Sequence, residues 1–219
     1  MSRCSLSERR VVLEREYKFS SPDDRAFENI LSDKNVRVLS RGEVFLEAAY
    51  FDTKDMYLRA LGGALRIRRE GDVFVACLKL SEEKNEDSGV FSRREFECRA
   101  ESIEDGLLRL PLSGADEALC RTLLEKGVFE IGRSRVLRVF ANAAIPGATV
   151  QICLDRGDVS SGALSQKIDE IEIELLFGDS ASHDAFCEYI RGKYGLSPIS
   201  VSKFARVLKL RERGMENER

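Results

Sequence analysis

The segment Glu170-Ile171-Glu172-Ile173-Glu174-Leu175 constrains the fold of this chain more than any other. Side chains alternate across a strand, so its three glutamates share one face and Ile171, Ile173 and Leu175 the other. In-phase carboxylates about 7 Å apart repel one another unless positive charge lies nearby. The first strand repeats the pattern, with Glu14, Glu16 and Lys18 on one face and Leu13, Tyr17 and Phe19 on the other. Compensating cations sit on further strand-like runs: Arg66 and Arg68 alternate with Leu65 and Ile67, Arg133 and Arg135 are in phase, and Lys79 ends an apolar run. One such strand would be the wet side of a half-buried sheet. Several together, each with long charged groups opposite strongly apolar ones, suit a barrel with a charged lumen and an apolar outer wall covered by helices.

Eight alternating runs fit that barrel: residues 11–19, 44–51, 64–70, 73–80, 90–99, 133–141, 149–155 and 168–177. Ser21 with Pro22 and two aspartates predicts a helix to about Asp33. Further helices are predicted over 114–126, 182–194 and 202–213. The fold class is therefore α+β: a closed eight-stranded antiparallel β-barrel with helices outside. It is expected as one domain over 11–213 between polar tails at 1–10 and 214–219. The polar loop 81–89 reads as a solvated hairpin connection.

With 35 basic and 38 acidic residues, the chain is less basic than a general nucleic-acid binder. No membrane span and no leader is expected, which points to a cytoplasmic protein. The six cysteines lack metal or disulfide spacing. The single histidine, His183, is expected on an exposed helix start. Carboxylates without histidine or paired thiols select Mg²⁺, Mn²⁺ or Ca²⁺ over zinc or copper. There is no Walker-type phosphate loop and no nucleophile motif.

Glu14-Arg15-Glu16-Tyr17-Lys18, Tyr50-Phe51-Asp52-Thr53, Leu65-Arg66-Ile67-Arg68-Arg69, Leu78-Lys79, Arg94-Glu95-Phe96-Glu97, Arg133 with Arg135, Asp155-Arg156-Gly157-Asp158, the 170–174 strand and Ser202-Lys203-Phe204-Ala205-Arg206 follow in order. Over about residues 11–210 the chain thereby resembles the CYTH superfamily, the triphosphate tunnel metalloenzymes, and among them the bacterial inorganic triphosphatases. The histidine-rich helical domain that bacterial relatives often carry after the tunnel is not expected in this chain. The resemblance implies an eight-stranded tunnel that hydrolyses inorganic triphosphate to diphosphate and phosphate with Mg²⁺ or Mn²⁺, two ions being expected. The metal ligands it implies are Glu14, Glu16, Glu170 and Glu172, with Asp155 and Glu95 on the metal side. Lys18, Arg66, Arg68, Lys79, Arg133, Arg135, Lys203 and Arg206 would grip phosphate. Glu16 or Glu174 would serve as general base, with Lys18 beside them. No stacking platform for an organic group is evident. Thiamine triphosphatase, a class IV type adenylate cyclase and a non-catalytic polyphosphate-binding module are the alternatives. Partners other than the small-molecule substrate are not expected beyond a second copy, as monomer or homodimer.

Overall fold

The structure, a computed structural model, describes residues 12–20, 24–81 and 90–217. Eight strands form the body: β1 (Val12–Ser20), β2 (Arg37–Asp52), β3 (Gly63–Glu70), β4 (Val73–Ser81), β5 (Val90–Arg99), β6 (Phe129–Ile145), β7 (Ala148–Ser161) and β8 (Leu164–Gly178). The sheet runs β5-β4-β3-β2-β6-β7-β8-β1, and β1 also pairs with β5, so the ring closes. Every seam is antiparallel. Closure is what lets both faces of each strand be used, one toward the lumen and one toward helices.

The strands β2, β6 and β7 extend well beyond their predicted runs. The extra residues of β2 and β7 carry little hydrophobic alternation to read; long register with a neighbour keeps them extended. Between the strands lie α1 (Ala26–Leu31), α2 (Tyr57–Ala60), α3 (Ile103–Arg109), α4 (Glu117–Lys126), α5 (Ser180–Tyr194) and α6 (Lys203–Asn217). A short β9 (Ser197–Pro198) adds to β1. The predicted cap at Ser21 and Pro22 and most of the 81–89 loop lie outside the described residues. Both α2 and α3 were absent from the predicted set, being too short for a helical period to show. Aspartates cap α4 and α5: Asp116 accepts from the backbone N–H of Ala118 and Leu119, and Asp179 from that of Ser182.

Three apolar clusters follow from this wrapping. Phe27, Ile30, Phe186 and Ile190 of α1 and α5 cover Phe19, Ile152, Ile171 and Ile173 on one flank. Leu107, Cys120 and Leu123 of α3 and α4 cover Leu65, Leu78 and Phe96 on the opposite flank. Val207, Leu208 and Leu210 of α6 pack with Tyr50, Val136, Val159 and Ile168, residues on the lumen side of the wall, and so close one end of the barrel. No helix among the described residues is long and apolar enough to cross a membrane.

Candidate functional site

The lumen contains a cavity of about 260 Å³ whose walls carry most of the charges singled out above. On β1, Glu14, Glu16 and Lys18 all point inward and are only 7%, 5% and 5% exposed. Antiparallel register sets Glu16 opposite Glu174 and Lys18 opposite Glu172. Lys18 Nζ donates to Glu172 at 2.6 Å and lies 3.3 Å from Glu16. Across the lumen, Arg66 and Arg68 of β3, Lys79 of β4 and Glu95 and Glu97 of β5 form a mixed wall. Lys79 bridges the two walls, donating to Glu14 at 2.6 Å and lying 3.2 Å from Glu95.

The opposite corner is a denser ion-pair cluster. Lys203, at the start of α6, reaches Glu170, Glu172 and Asp155 at 2.6, 2.7 and 2.7 Å. Arg206 adds a 2.8 Å bond to Glu170. Arg138 of β6 forks onto Asp155 through two 2.7 Å bonds and also reaches Glu172. Oxygens of Asp155, Glu170 and Glu172 come within 4.8 Å of one another, a grouping that could take a cation and here surrounds these protein cations.

Electrostatics divide the carboxylates by neighbour. Burial would raise Glu172, but Lys18, Lys203 and Arg138 together hold it well below the usual range. Burial would likewise raise Glu95, yet Lys79 and Arg66 pull it down to about 2. Glu174 goes the other way: burial, then repulsion from Glu14 and Glu16, pushes it up to about 7. Burial also raises Glu16, against the pull of Lys18. Among the described residues no cation lies within ion-pair distance of Glu174. The Nε atoms of Arg66 and Arg68 are buried without a hydrogen-bond partner among the described residues. The cavity therefore holds an under-neutralised acidic strip facing guanidinium donors with spare capacity.

The geometry brings together Glu14, Glu16, Lys18, Arg66, Arg68, Lys79, Glu95, Asp155, Glu172, Glu174 and Lys203. It places four predicted residues elsewhere. Arg133 and Arg135 stand on the outer surface, 57% and 59% exposed, paired with Glu130 and Glu47. Glu170 is wholly buried under Lys203 and Arg206 and does not line the cavity, whereas Glu174 does. Arg206 acts on Glu170 rather than on the open space. The lumen arginine of β6 is Arg138, which was not among the predicted site residues. Its signal lay at the far end of the same strand, where Ala141, Ala143 and Ile145 pack under helices. Those odd-numbered residues fix the outer phase of β6, so Arg133 and Arg135 share it and Ser134, Val136 and Arg138 face inward.

His183 is also not where it was expected: it lies in the first turn of α5 but is fully buried on that helix's inner side. An aromatic surface is present too, since Tyr50 and Phe204 both line the cavity with ring centroids 5.9 Å apart. Tyr50 sits on β2 and Phe204 on α6, a pairing invisible along the sequence.

Comparison with known proteins fits this architecture. The CYTH domain model matches residues 13–208. Among solved structures, a proposed adenylyl cyclase from Hippeastrum, described as having a dominant triphosphatase activity, is similar with a TM-score of 0.59 at 20% identity, covering 90% of this chain and 96% of that one. A Pyrococcus horikoshii protein gives 0.55 at 19%, covering 90% and 98%. A proposed adenylate cyclase from Bacillus halodurans gives 0.52 at 21%, covering 86% and 92%. At such identities the likeness speaks for the fold.

Proposed function

The chain belongs to the CYTH domain family, and on that footing we propose that its tunnel hydrolyses inorganic triphosphate to diphosphate and phosphate with the help of a divalent cation. The observation that carries this reading is the opposition, within one cavity, of two arginines whose Nε–H groups have no partner among the described residues and a strip of three carboxylates of which one, Glu174, has no cation within ion-pair distance among the described residues. A polyanion and a hard cation would each meet what the other leaves exposed. The triphosphatase activity described for the Hippeastrum protein is in keeping with it.

The donor set fits Mg²⁺ or Mn²⁺, because the strip offers carboxylate oxygens and no imidazole. Glu14, Glu16 and Glu174 would hold it; Glu172 is already neutralised by three cations, and Glu170 with Asp155 anchors Lys203, Arg206 and Arg138. When bound, such an ion neutralises charge on the phosphate oxygens. The protein's own part is binding and orientation. Arg66 and Arg68 can fork onto phosphate oxygens, and Lys18, Lys79 and Lys203 supply point charges. Phosphoryl transfer needs a water placed in line and little covalent help. Whichever of Glu16 and Glu174 the ion leaves unligated stands on the cavity wall where it can take that water's proton.

One observation favours a second reading. Tyr50 and Phe204, with Leu46, Ala48 and Val136, give part of the cavity an apolar lining that suits an organic group attached to the triphosphate, as in thiamine triphosphate or ATP. Phosphate release from tripolyphosphate, thiamine triphosphate and ATP, each with Mg²⁺, Mn²⁺ or EDTA, separates the two. Fast metal-dependent release from tripolyphosphate that is lost in Glu14→Gln/Glu174→Gln supports the first. Turnover of an organic triphosphate alone supports the second. Tight triphosphate binding without turnover refutes hydrolysis and leaves a binding module.

A further inference from the structure

Of the eight seams that close the barrel, β1–β8 is the shortest among the described residues, with four paired positions. It also opposes like charges, since Glu16 faces Glu174 at its end and Glu14 adds to the repulsion on Glu174. Like charges directly opposite destabilise an antiparallel pair. Helix α5 lies across the outside of this seam and grips both strands from two consecutive residues. Asp184 takes both ends of the Arg15 guanidinium, at 2.9 and 2.6 Å, and Arg15 follows Glu14 on β1. His183 Nε2 donates to the carbonyl oxygen of Ile173 at 3.2 Å, and Ile173 lies between Glu172 and Glu174 on β8. The imidazole edge also packs on the Tyr17 ring, 5.4 Å between centroids, and Tyr17 is the cross-strand partner of Ile173.

Stability alone does not explain this histidine. It is fully buried against the Tyr17 ring and the Ile173 carbonyl, where an apolar side chain would leave no polar atom to satisfy. Its Nδ1 has no hydrogen-bond partner among the described residues, which carries a desolvation cost. What an apolar residue could not supply is a directional bond to β8 at the level of the opposed glutamates. The far end of α5 is fixed as well, because Lys193, Tyr194 and Tyr189 converge on the buried Asp33 at 2.6, 2.8 and 3.2 Å.

We propose that His183 and Asp184 are positioning residues: through them α5 clamps β1 to β8 and sets the spacing of Glu14, Glu16 and Glu174. The clamp itself stands on the geometry of the seam; its bearing on cation binding rests on the function proposed above. The test uses the full chain as wild type, His183→Leu, His183→Gln and Asp184→Asn. Amide hydrogen exchange is followed at 16–19 and 171–174 against the β3–β4 seam as internal reference, and Mn²⁺ affinity is measured by titration. His183→Leu should stay folded, exchange faster at the β1–β8 seam by about tenfold or more, and bind Mn²⁺ about 10- to 100-fold more weakly, the usual effect of removing a group that orients a metal ligand. Asp184→Asn should shift both readouts in the same direction. His183→Gln should restore both, because its amide N–H can reach the same carbonyl. Wild-type exchange and affinity in His183→Leu would overturn the proposal, as would equal acceleration at every seam or failure of His183→Gln to rescue. If wild type itself takes up no Mn²⁺, the cation reading fails, and local exchange alone decides whether the clamp exists.

Discussion

Replacing Arg138 with methionine should damage this protein far more than the same change at Arg135, although both lie on β6 three residues apart. Arg138 is 17% exposed and makes three hydrogen bonds to two buried carboxylates, Asp155 and Glu172. Removing one partner of a buried ion pair costs about 3 to 5 kcal/mol. Lys203 still touches both carboxylates at 2.7 Å, so the expected loss is lower, about 2 to 3 kcal/mol. For a chain of this size that lowers Tm by about 5 to 10 °C. Arg135 is 59% exposed with one 3.2 Å contact to Glu47, and its loss should cost about 0.5 kcal/mol or less. Thermal unfolding by circular dichroism reads the first difference. Tripolyphosphate turnover reads the second: about 100-fold or more lost in Arg138→Met and less than about twofold in Arg135→Met. Equal losses in the two variants, or an Arg138→Met protein that melts and turns over like wild type, would refute the assignment of the inner face of β6.

Three other expectations follow from individual environments. Glu174→Gln removes a carboxylate that burial, Glu14 and Glu16 push up to about 7, so in EDTA at pH 8 it should raise stability by about 2 kcal/mol, while saturating Mn²⁺ should favour wild type; melting curves with and without the ion test both signs. Burial would raise Asp33, but bonds from Lys193, the Asn35 backbone N–H, Tyr194 and Tyr189 hold it at about 2, so its advantage over Asp33→Asn, about 1 to 2 kcal/mol after allowing for the exposed Lys193, is present above pH 4 and disappears as pH falls through 2; urea titrations at pH 7, 4 and 2 measure it. Gly157→Ala should destabilise the barrel by about 2 to 3 kcal/mol in the same assay, because an added Cβ would meet the Arg135 carbonyl oxygen at 1.9 Å and Val136 Cα at 2.9 Å.

What could be read from the sequence was whatever a period of two reports. The in-phase charges of β1, β3 and β8 and the apolar residues between them foretold an inward charged face, and the lumen shows it. A period cannot say which of the two phases faces in when both carry arginine, and that is where Arg133 and Arg135 were misplaced. Nor can it say where along a strand the lumen ends: Glu170, Glu172 and Glu174 are equivalent in sequence, yet α6 covers the first and leaves the last open. His183 looked exposed because a polar residue near a helix start normally is. Its burial depends on β1 and β8 meeting beneath it, a contact 166 residues from Tyr17 to His183 that no local pattern carries.

The position of β1 between β5 and β8 also bears on how the chain reaches its folded state. Residues near 16 cannot be paired on both sides until residues near 174 exist, since Lys18 and Glu172 are 154 positions apart. Non-local closure of this kind slows folding and leaves strand edges waiting for partners. An unpaired strand that is hydrophobic on both faces would invite association with other chains; charged residues along one face discourage it. The charged face of β1, Glu14, Glu16 and Lys18, therefore disfavours association of the first strand while it waits for β8.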